Sequence, residues 1–327
     1  MRALLTRLRS ADLPAQLRRV ELGTRRRNGG GPAVRRRAGG EQTAVDRYWT
    51  EHTVAAKRFA SARESERFLE WRFEQYPLFR EFTSLWGEHD GDVLLDYGCG
   101  PGNDLTGYAL YTAAERIVGF DVSPRALELA RDRLALHRID PGRVVLVEGS
   151  DSTVGIPLAD ESVDFLQSLG VLHHTSEPEA IIAELFRVLR PGGRGVVMVY
   201  NRESVWFRLY TAYERMIVEN AFPGADVHEA FRRNTDGPEC PISRSYVPDD
   251  FAALLRSAGF EVDYAGGYLS KHELNVLDRS WAKALADDRL APEHRDFLRA
   301  LTFDFAGRPM HEGRHAGIGG TYRLRKH

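Results

Sequence analysis

Val93-Leu94-Leu95-Asp96-Tyr97-Gly98-Cys99-Gly100-Pro101-Gly102-Asn103-Asp104 runs an apolar strand into three alternating glycines and bounds them with acids. A strand that ends in a glycine-rich turn is the form of a nucleotide-binding loop, because glycine lets backbone approach a ligand closely. The dinucleotide fingerprint GxGxxG requires a third glycine that lets the next helix approach the strand. Counting from Gly98 puts Asn103 at that place, and counting from Gly100 puts Leu105 there, so the fingerprint fails in both frames. No GK[ST] follows, which excludes a Walker loop. Asp96 sharpens the point: a carboxylate at the strand end repels a pyrophosphate and attracts an ammonium.

Two further acids agree. VGFDVSP ends a strand with Asp121, nineteen residues after Gly102, where a ribose-binding acid is expected in such folds. Its carboxylate can accept from both ribose hydroxyls. Asp151, in VVLVEGSDS, follows the third strand, where it can accept from an adenine amino group. Acids after three successive strands suit S-adenosylmethionine, which has an α-ammonium and a sulfonium but no phosphate. Gly98, Gly100 and Gly102 then give the backbone its close approach.

Around this loop, apolar runs (DVLLDY, RIVGFD, RVVLVE, VDFLQSL, RGVVMVY) read as buried strands. Helical patterns separate them. PRALELARDRLALHR puts Leu127, Ala130 and Leu134 on one face behind Pro124, and EAIIAELFRVLRPGG spaces Ile181, Leu185 and Leu189 by four before Gly192 and Gly193. Such alternation predicts an α/β fold with a parallel, doubly wound sheet. DYGCGPGND, GFDVSP and the run from IPLADESVDF to RVLRPGG resemble the class I S-adenosylmethionine-dependent methyltransferases, over roughly Asp92 to Tyr200. The resemblance implies a Rossmann-like seven-stranded sheet, order 3-2-1-4-5-7-6, with an antiparallel seventh strand. It also implies cofactor contacts from Val122, beside Asp121, and from Ser168 and Leu169 at the end of the fourth strand. One departure stands out: the family's Gly-Asp-Ala is here Gly149-Ser150-Asp151, which leaves the adenine contact open between Asp151 and Ser152.

Methyl transfer is an in-line displacement, so the protein positions and desolvates the acceptor. A hydroxyl acceptor calls for a base, an amine or carboxylate less so. The fourth strand ends in LGVLHHT, making His173 and His174 candidates, with His174 preferred; packing or capping is the structural alternative for the pair. No metal is expected, because adjacent strand residues point to opposite faces and no third ligand is near in sequence. Enzymes of this fold that methylate adenine amino groups resemble one another in a (D/N)PPY turn, which QSLGVL lacks, so a nucleic-acid acceptor is not expected. The acceptor is expected to be a small molecule or glycan, methylated at oxygen. Arg244 and Tyr246 are candidate acceptor contacts, and His272, His311 and His315 have no assigned place.

The chain thus divides into a basic, disordered tail (1–45), aromatic-rich helices (46–89), the cofactor-binding core (90–200), a helical and loop insertion capping the substrate (201–250), and C-terminal strands six and seven with an insertion (251–327). Ten aromatic residues lie between Tyr48 and Trp86, and Pro77 is expected to break the helix starting near Ser65. Trp206, Tyr210, Tyr213 and Ile217 form a helical stripe beyond Tyr200. Residues 1–40 hold eleven arginines against Asp12 and Glu21, a charge of +9, so the rest must hold −11 to reach the net −2. Leu4, Leu5 and Leu8 can form a short amphipathic turn there, which keeps open a lipid or quinone methyltransferase held at a membrane by its basic tail. A NAD-dependent oxidoreductase and a non-catalytic cofactor-binding protein are the remaining alternatives. With two cysteines outside any metal spacing, no secretory leader pattern and no apolar run long enough to span a bilayer, a cytoplasmic setting is expected.

Overall fold

The computed structural model describes residues 34–36, as backbone, and 42–327. The Arg-rich segment and its leucine turn otherwise lie outside the described residues. In chain order the elements are β1 (Val34–Arg36), α1 (Ala44–Glu51), α2 (Ala62–Gln75), α3 (Phe79–Thr83), β2 (Val93–Tyr97), α4 (Asn103–Tyr111), β3 (Arg116–Asp121), α5 (Pro124–Leu136), β4 (Val144–Glu148), β5 (Val163–Leu169), α6 (Pro178–Val188) and β6 (Leu189–Tyr200). A π-helix (Trp206–Val218) follows, then α7 (Val227–Thr235), α8 (Pro248–Ser257), β7 (Glu261–Tyr268), α9 (Lys271–Ala286), α10 (Pro292–Ala300), β8 (Thr302–Phe303), β9 (Pro309–His311), β10 (Arg314–His315) and β11 (Gly319–Arg325).

The main sheet is ordered β1-β4-β3-β2-β5-β6-β11-β7. Without β1 this is the expected 3-2-1-4-5-7-6, and β11, the last core strand in the chain, is antiparallel to both neighbours. The seven expected strands are all present, and an eighth, β1, pairs parallel with β4 at the edge, inside the stretch expected to be tail. The tail boundary expected at residue 45 also falls within an element, because Thr43 caps α1 in a capping box with Asp46.

Strand β2 is buried on both faces. Leu94 and Leu95 are each 1% exposed, and successive side chains must point to opposite sides. Leu94 joins a core with Leu105, Ile117, Leu127 and Leu134; Leu95 joins one with Val118, Leu166, Ile182 and Leu185. Each such leucine contributes roughly 1.5–3 kcal/mol through burial. Helix α5 opens as its sequence predicts, with Ser123 Oγ accepting from Ala126 N (3.1 Å) and Pro124 in the first turn. Helix α2 ends before Pro77. Two elements differ from the sequence pattern. The stripe beyond Tyr200 winds as a π-helix, with Glu219 N donating to Glu214 O, and buries Phe207, Leu209 and Tyr213, while Trp206 and Tyr210 are only half-buried. The C-terminal insertion folds α9 and α10 and a separate sheet, ordered β10-β9-β8.

Gly102, expected at the cofactor, serves packing instead. It precedes α4 with φ +75°, and a Cβ there would lie 2.9 Å from Ala130 Cβ on α5. We expect Gly102→Ala to lower stability by about 1–3 kcal/mol, measured as a shifted urea midpoint.

Candidate active site

A cavity of about 670 Å³ opens beyond the C-terminal ends of β2, β3 and β5. Strand order reverses there, since β2 lies between β3 and β5, and such a switch point is where doubly wound sheets bind ligands. Gly98, Gly100, Asp121, Val122 and Leu169, all expected at the cofactor, line it. Asp121 grips the glycine loop: its Oδ2 accepts from Gly100 N (2.8 Å) and its Oδ1 from Ser123 N (2.8 Å). Each oxygen keeps a lone pair for a further donor. Burial pushes the Asp121 carboxyl up to about 6, against the pull of those backbone donors. At Gly98 (φ +82°) a Cβ would fall 2.1 Å from Val171 Cγ2; at Gly100 (φ +52°) it would enter open space.

Other expected contacts are placed elsewhere. Asp96 is buried and does not line the cavity. It sits across the β2–β5 ladder from Gln167, whose Nε2 donates to Asp96 Oδ1 (3.2 Å) and to Asp104 Oδ2 (3.1 Å). Asp96 Oδ2 has no hydrogen-bond partner, and burial, then the Asp104 charge, raises the Asp96 carboxyl well above the usual range. Ser168 is buried beneath the wall. Of Asp151 and Ser152, only Asp151 lines the cavity, and Ser176 N (2.9 Å) and Oγ donate to its two carboxylate oxygens.

The loop carrying Asp151 is held by Asp46, a residue the sequence reading missed. Asp46 is 1% exposed; its Oδ1 accepts from Asp151 N (2.8 Å) and its Oδ2 from Ser150 Oγ (2.6 Å) and Thr43 N (3.0 Å). Helix α1 thereby closes over the loop after β4.

The far half of the cavity is aromatic, with Trp49, Tyr76, Tyr200, Trp206 and Tyr268 on its walls. His174 lines it too; His173 does not. The pair lies on a 3₁₀ turn, Leu172–His174, rather than on strand. His173 is fully buried, its ring 3.9 Å from that of Tyr200, with neither ring nitrogen hydrogen-bonded. Burial drives its pKa well down, so it is a neutral packing group rather than a catalytic one. The His174 Nδ1 lies 2.8 Å from Ile242 O, and its Nε2 lies 3.7 Å from Asp236 Oδ1. Asp236 also lines the cavity and was not foreseen: it stands sixty-two residues from His174, in a polar turn with no diagnostic spacing.

Arg244 and Tyr246 are corrected from acceptor contacts to anchors, since neither lines the cavity. Arg244 N donates to His173 O (3.0 Å) and its Nη1 to Thr175 O (2.6 Å); Tyr246 N donates to Tyr200 O (2.8 Å). Of the three unplaced histidines, His272 lines the cavity, while His311 lies 3.4 Å from Glu203 and His315 3.0 Å from Asp304. Glu273, at the start of α9, is fully buried: Oε2 accepts from Ser270 N (2.7 Å) and Oγ (2.9 Å), and Oε1 from Trp206 N (3.2 Å) and Ile318 N (2.9 Å).

Two groups among the described residues bring three potential metal-ligand atoms within 4.8 Å of one another, His174–Asp236–Cys240 and Glu203–His311–Glu312. In the first, the Cys240 thiol donates to Ile242 O (3.3 Å) and is pushed up to about 11 by burial and then by Asp236. The Cys240 thiol and the His174 Nδ1 both meet the same carbonyl, Ile242 O.

The methyltransferase-domain family matches residues 95–197. A probable methyltransferase, ltbC, of Aspergillus luteorubrus is 27% identical over 210 residues, covering 62% of this chain and 69% of that protein. The demethylmenaquinone methyltransferase of Tropheryma whipplei (strain Twist) is 30% identical over 186 residues, 56% of this chain and 72% of that protein. The chain belongs to the class I S-adenosylmethionine-dependent methyltransferases. A ubiquinone biosynthesis O-methyltransferase of Xanthomonas axonopodis pv. citri is 26% identical over 195 residues, 59% of this chain and 72% of that protein.

S-adenosylmethionine is the cofactor of this methyltransferase, which removes the dinucleotide oxidoreductase alternative. The cavity fits it on three counts. Gly100 leaves open space where any side chain would intrude. Asp121 keeps lone pairs toward a diol. Among the described residues Lys271, beside Ser270 and His272, is the only lysine or arginine lining the cavity, so the glycine loop offers no cation to a pyrophosphate. Among the described residues no helix of the methyltransferase is long and apolar enough to cross a membrane.

Ribose hydroxyls donate best to an ionised Asp121. Because its pKa is raised to about 6, cofactor affinity should increase with pH up to that value and level off above it, by about tenfold per pH unit on the acid side. Calorimetric titration across this range tests the prediction; Asp121→Asn should bind weakly and lose the dependence.

Proposed function

We propose that this methyltransferase transfers a methyl group to a hydroxyl of a small-molecule or glycan acceptor. The reading is carried by the His174 ring. Its Nδ1 faces a carbonyl at 2.8 Å and must carry the proton, so the lone pair sits on Nε2 of a side chain lining the same cavity as the glycine loop. Burial lowers the His174 pKa while Asp236 pulls it upward. The ring is therefore neutral near neutral pH and can take a proton from an acceptor O–H.

When bound, S-adenosylmethionine supplies an electrophilic methyl on its sulfonium. Asp121 would receive its ribose diol, Gly98 and Gly100 would admit it to the loop, and Asp151, on the cavity wall, would accept from its adenine amino group. The chain then has to position, desolvate and deprotonate the acceptor. A buried base favours a hydroxyl over an amine or carboxylate, which need no such help. Trp49, Trp206 and Tyr268 offer faces on which a flat or sugar ring can stack. The similarity to a ubiquinone O-methyltransferase supports oxygen as the atom modified.

With donor labelled in its methyl group and a panel of phenolic and sugar acceptors, the label is expected on oxygen; label on nitrogen or carbon overturns the reading. His174→Gln should lower kcat by about 10²–10⁴-fold, and full turnover by that variant across neutral pH removes the base.

A quinone or lipid acceptor taken from a membrane is the second reading. It is supported by the exposed Val54 (68%) and Trp71 (47%), which line the cavity, and by a relative named for a quinone precursor. Flotation on anionic liposomes, with and without residues 1–40, separates the two. Binding that depends on the segment favours the second reading, and its absence removes it.

A further inference from the structure

The surroundings of Asp236 carry an inference that rests on His174 as the proton acceptor. Tyr200 OH donates to its Oδ1 (2.8 Å), Ser243 Oγ donates to its Oδ2 (2.6 Å), and Tyr48 OH, from α1, donates to its backbone carbonyl. The side chain is 6% exposed, and among the described residues His174 is the only basic group within 4.0 Å of it. A carboxylate withdrawn from water without a close cation is costly unless it serves one that forms later. Hydroxyls from α1, β6 and the loop before α8 hold Asp236 against the Nε2 of His174.

We infer that Asp236 is a positioning residue that acts through His174, strengthening Nε2 as a proton acceptor and stabilising the imidazolium formed when the acceptor hydroxyl is deprotonated. The 3.7 Å separation matters. It is too long for a hydrogen bond that would occupy Nε2 before the acceptor arrives. It is short enough for the carboxylate to favour a positive ring. In the step itself the acceptor O–H bond breaks and its proton passes to Nε2. The electron pair left on oxygen forms the bond to the methyl carbon, and the pair of the broken C–S bond stays on the sulfur of the departing donor. Ile242 O holds the opposite ring nitrogen, so the ring cannot turn away as it gains charge.

The other charged and titratable groups near this ring do not replace Asp236. Arg244, on the strand-like segment before α8, opposes a positive His174. His173 is held neutral by burial. The Tyr200 hydroxyl of β6 and the Tyr48 hydroxyl of α1 are both pushed up, so they remain donors, and the Cys240 thiol remains protonated.

The test needs no acceptor. In protein labelled with [15N]histidine and saturated with S-adenosylhomocysteine, the His174 ring signals are assigned by their loss in His174→Gln and titrated with pH. The wild type should show the neutral ring protonated at Nδ1. D236N should reduce the proton affinity of Nε2 by about tenfold, and D236E should restore most of it. Asp236→Ser, uncharged but still able to hydrogen-bond, should reproduce the loss if D236N folds poorly. An unchanged His174 titration in a folded, uncharged variant overturns the inference, as does a neutral ring protonated at Nε2. Failure here leaves the hydroxyl reading standing, because that reading is decided by the site of methyl label and by His174→Gln turnover.

Discussion

The absence of a side chain at Gly98 is the constraint on which the site is built. A single Cβ there would sit 2.1 Å from Val171, so the loop after β2 and the turn after β5 can meet only across a glycine. That contact sets the glycine loop beside the turn carrying His174, and Asp121 then draws Gly100 toward β3 through one carboxylate oxygen. The glycine loop, Asp121 and His174 share one cavity because three strand ends converge at this point.

Helix α1 makes the second connection. Asp46 ties it to the loop after β4, the Trp49 ring lies 4.5 Å from that of His174, and Tyr48 reaches the carbonyl of Asp236. One eight-residue helix, capped at Thr43, therefore touches the loop after β4, His174 and Asp236. Loss of the cap would loosen all three contacts together, since Asp46 accepts from the cap and from the loop with the same carboxylate.

The sheet was legible because its strands are buried on both faces and so read as unbroken Val, Ile and Leu runs, with glycine or proline between them. Asp121 was legible because its distance from the glycine loop follows from the length of one helix and one strand. Asp96 was legible as unusual, yet its placement was not: the side chain turns toward Gln167, its ladder neighbour, which no reading of one strand reveals. Asp236 and Asp46 were invisible for a related reason, since each works through contacts across long stretches of chain. The π-helix escaped because the 4-3-4 spacing of Trp206, Tyr210, Tyr213 and Ile217 is that of an ordinary 3.6-residue turn and gives no sign of a wider one. Gly102 misled in the other direction: a glycine in a binding loop can answer to the neighbouring helix, here Ala130, rather than to the ligand.

Glu273 ties together one wall of the cavity. Its carboxylate takes hydrogens from the backbone of Trp206, Ser270 and Ile318 and so joins the starts of the π-helix and α9 and the approach to β11 at one buried point. Burial raises its pKa to about 7, so the knot is held at the edge of ionisation and not by a fixed ion pair. Loss of this one carboxylate would leave three backbone N–H groups, on three segments, without their acceptor. A chain that came to accept a different molecule would do so more readily by exchanging these joined segments together than by altering its aromatic faces one at a time.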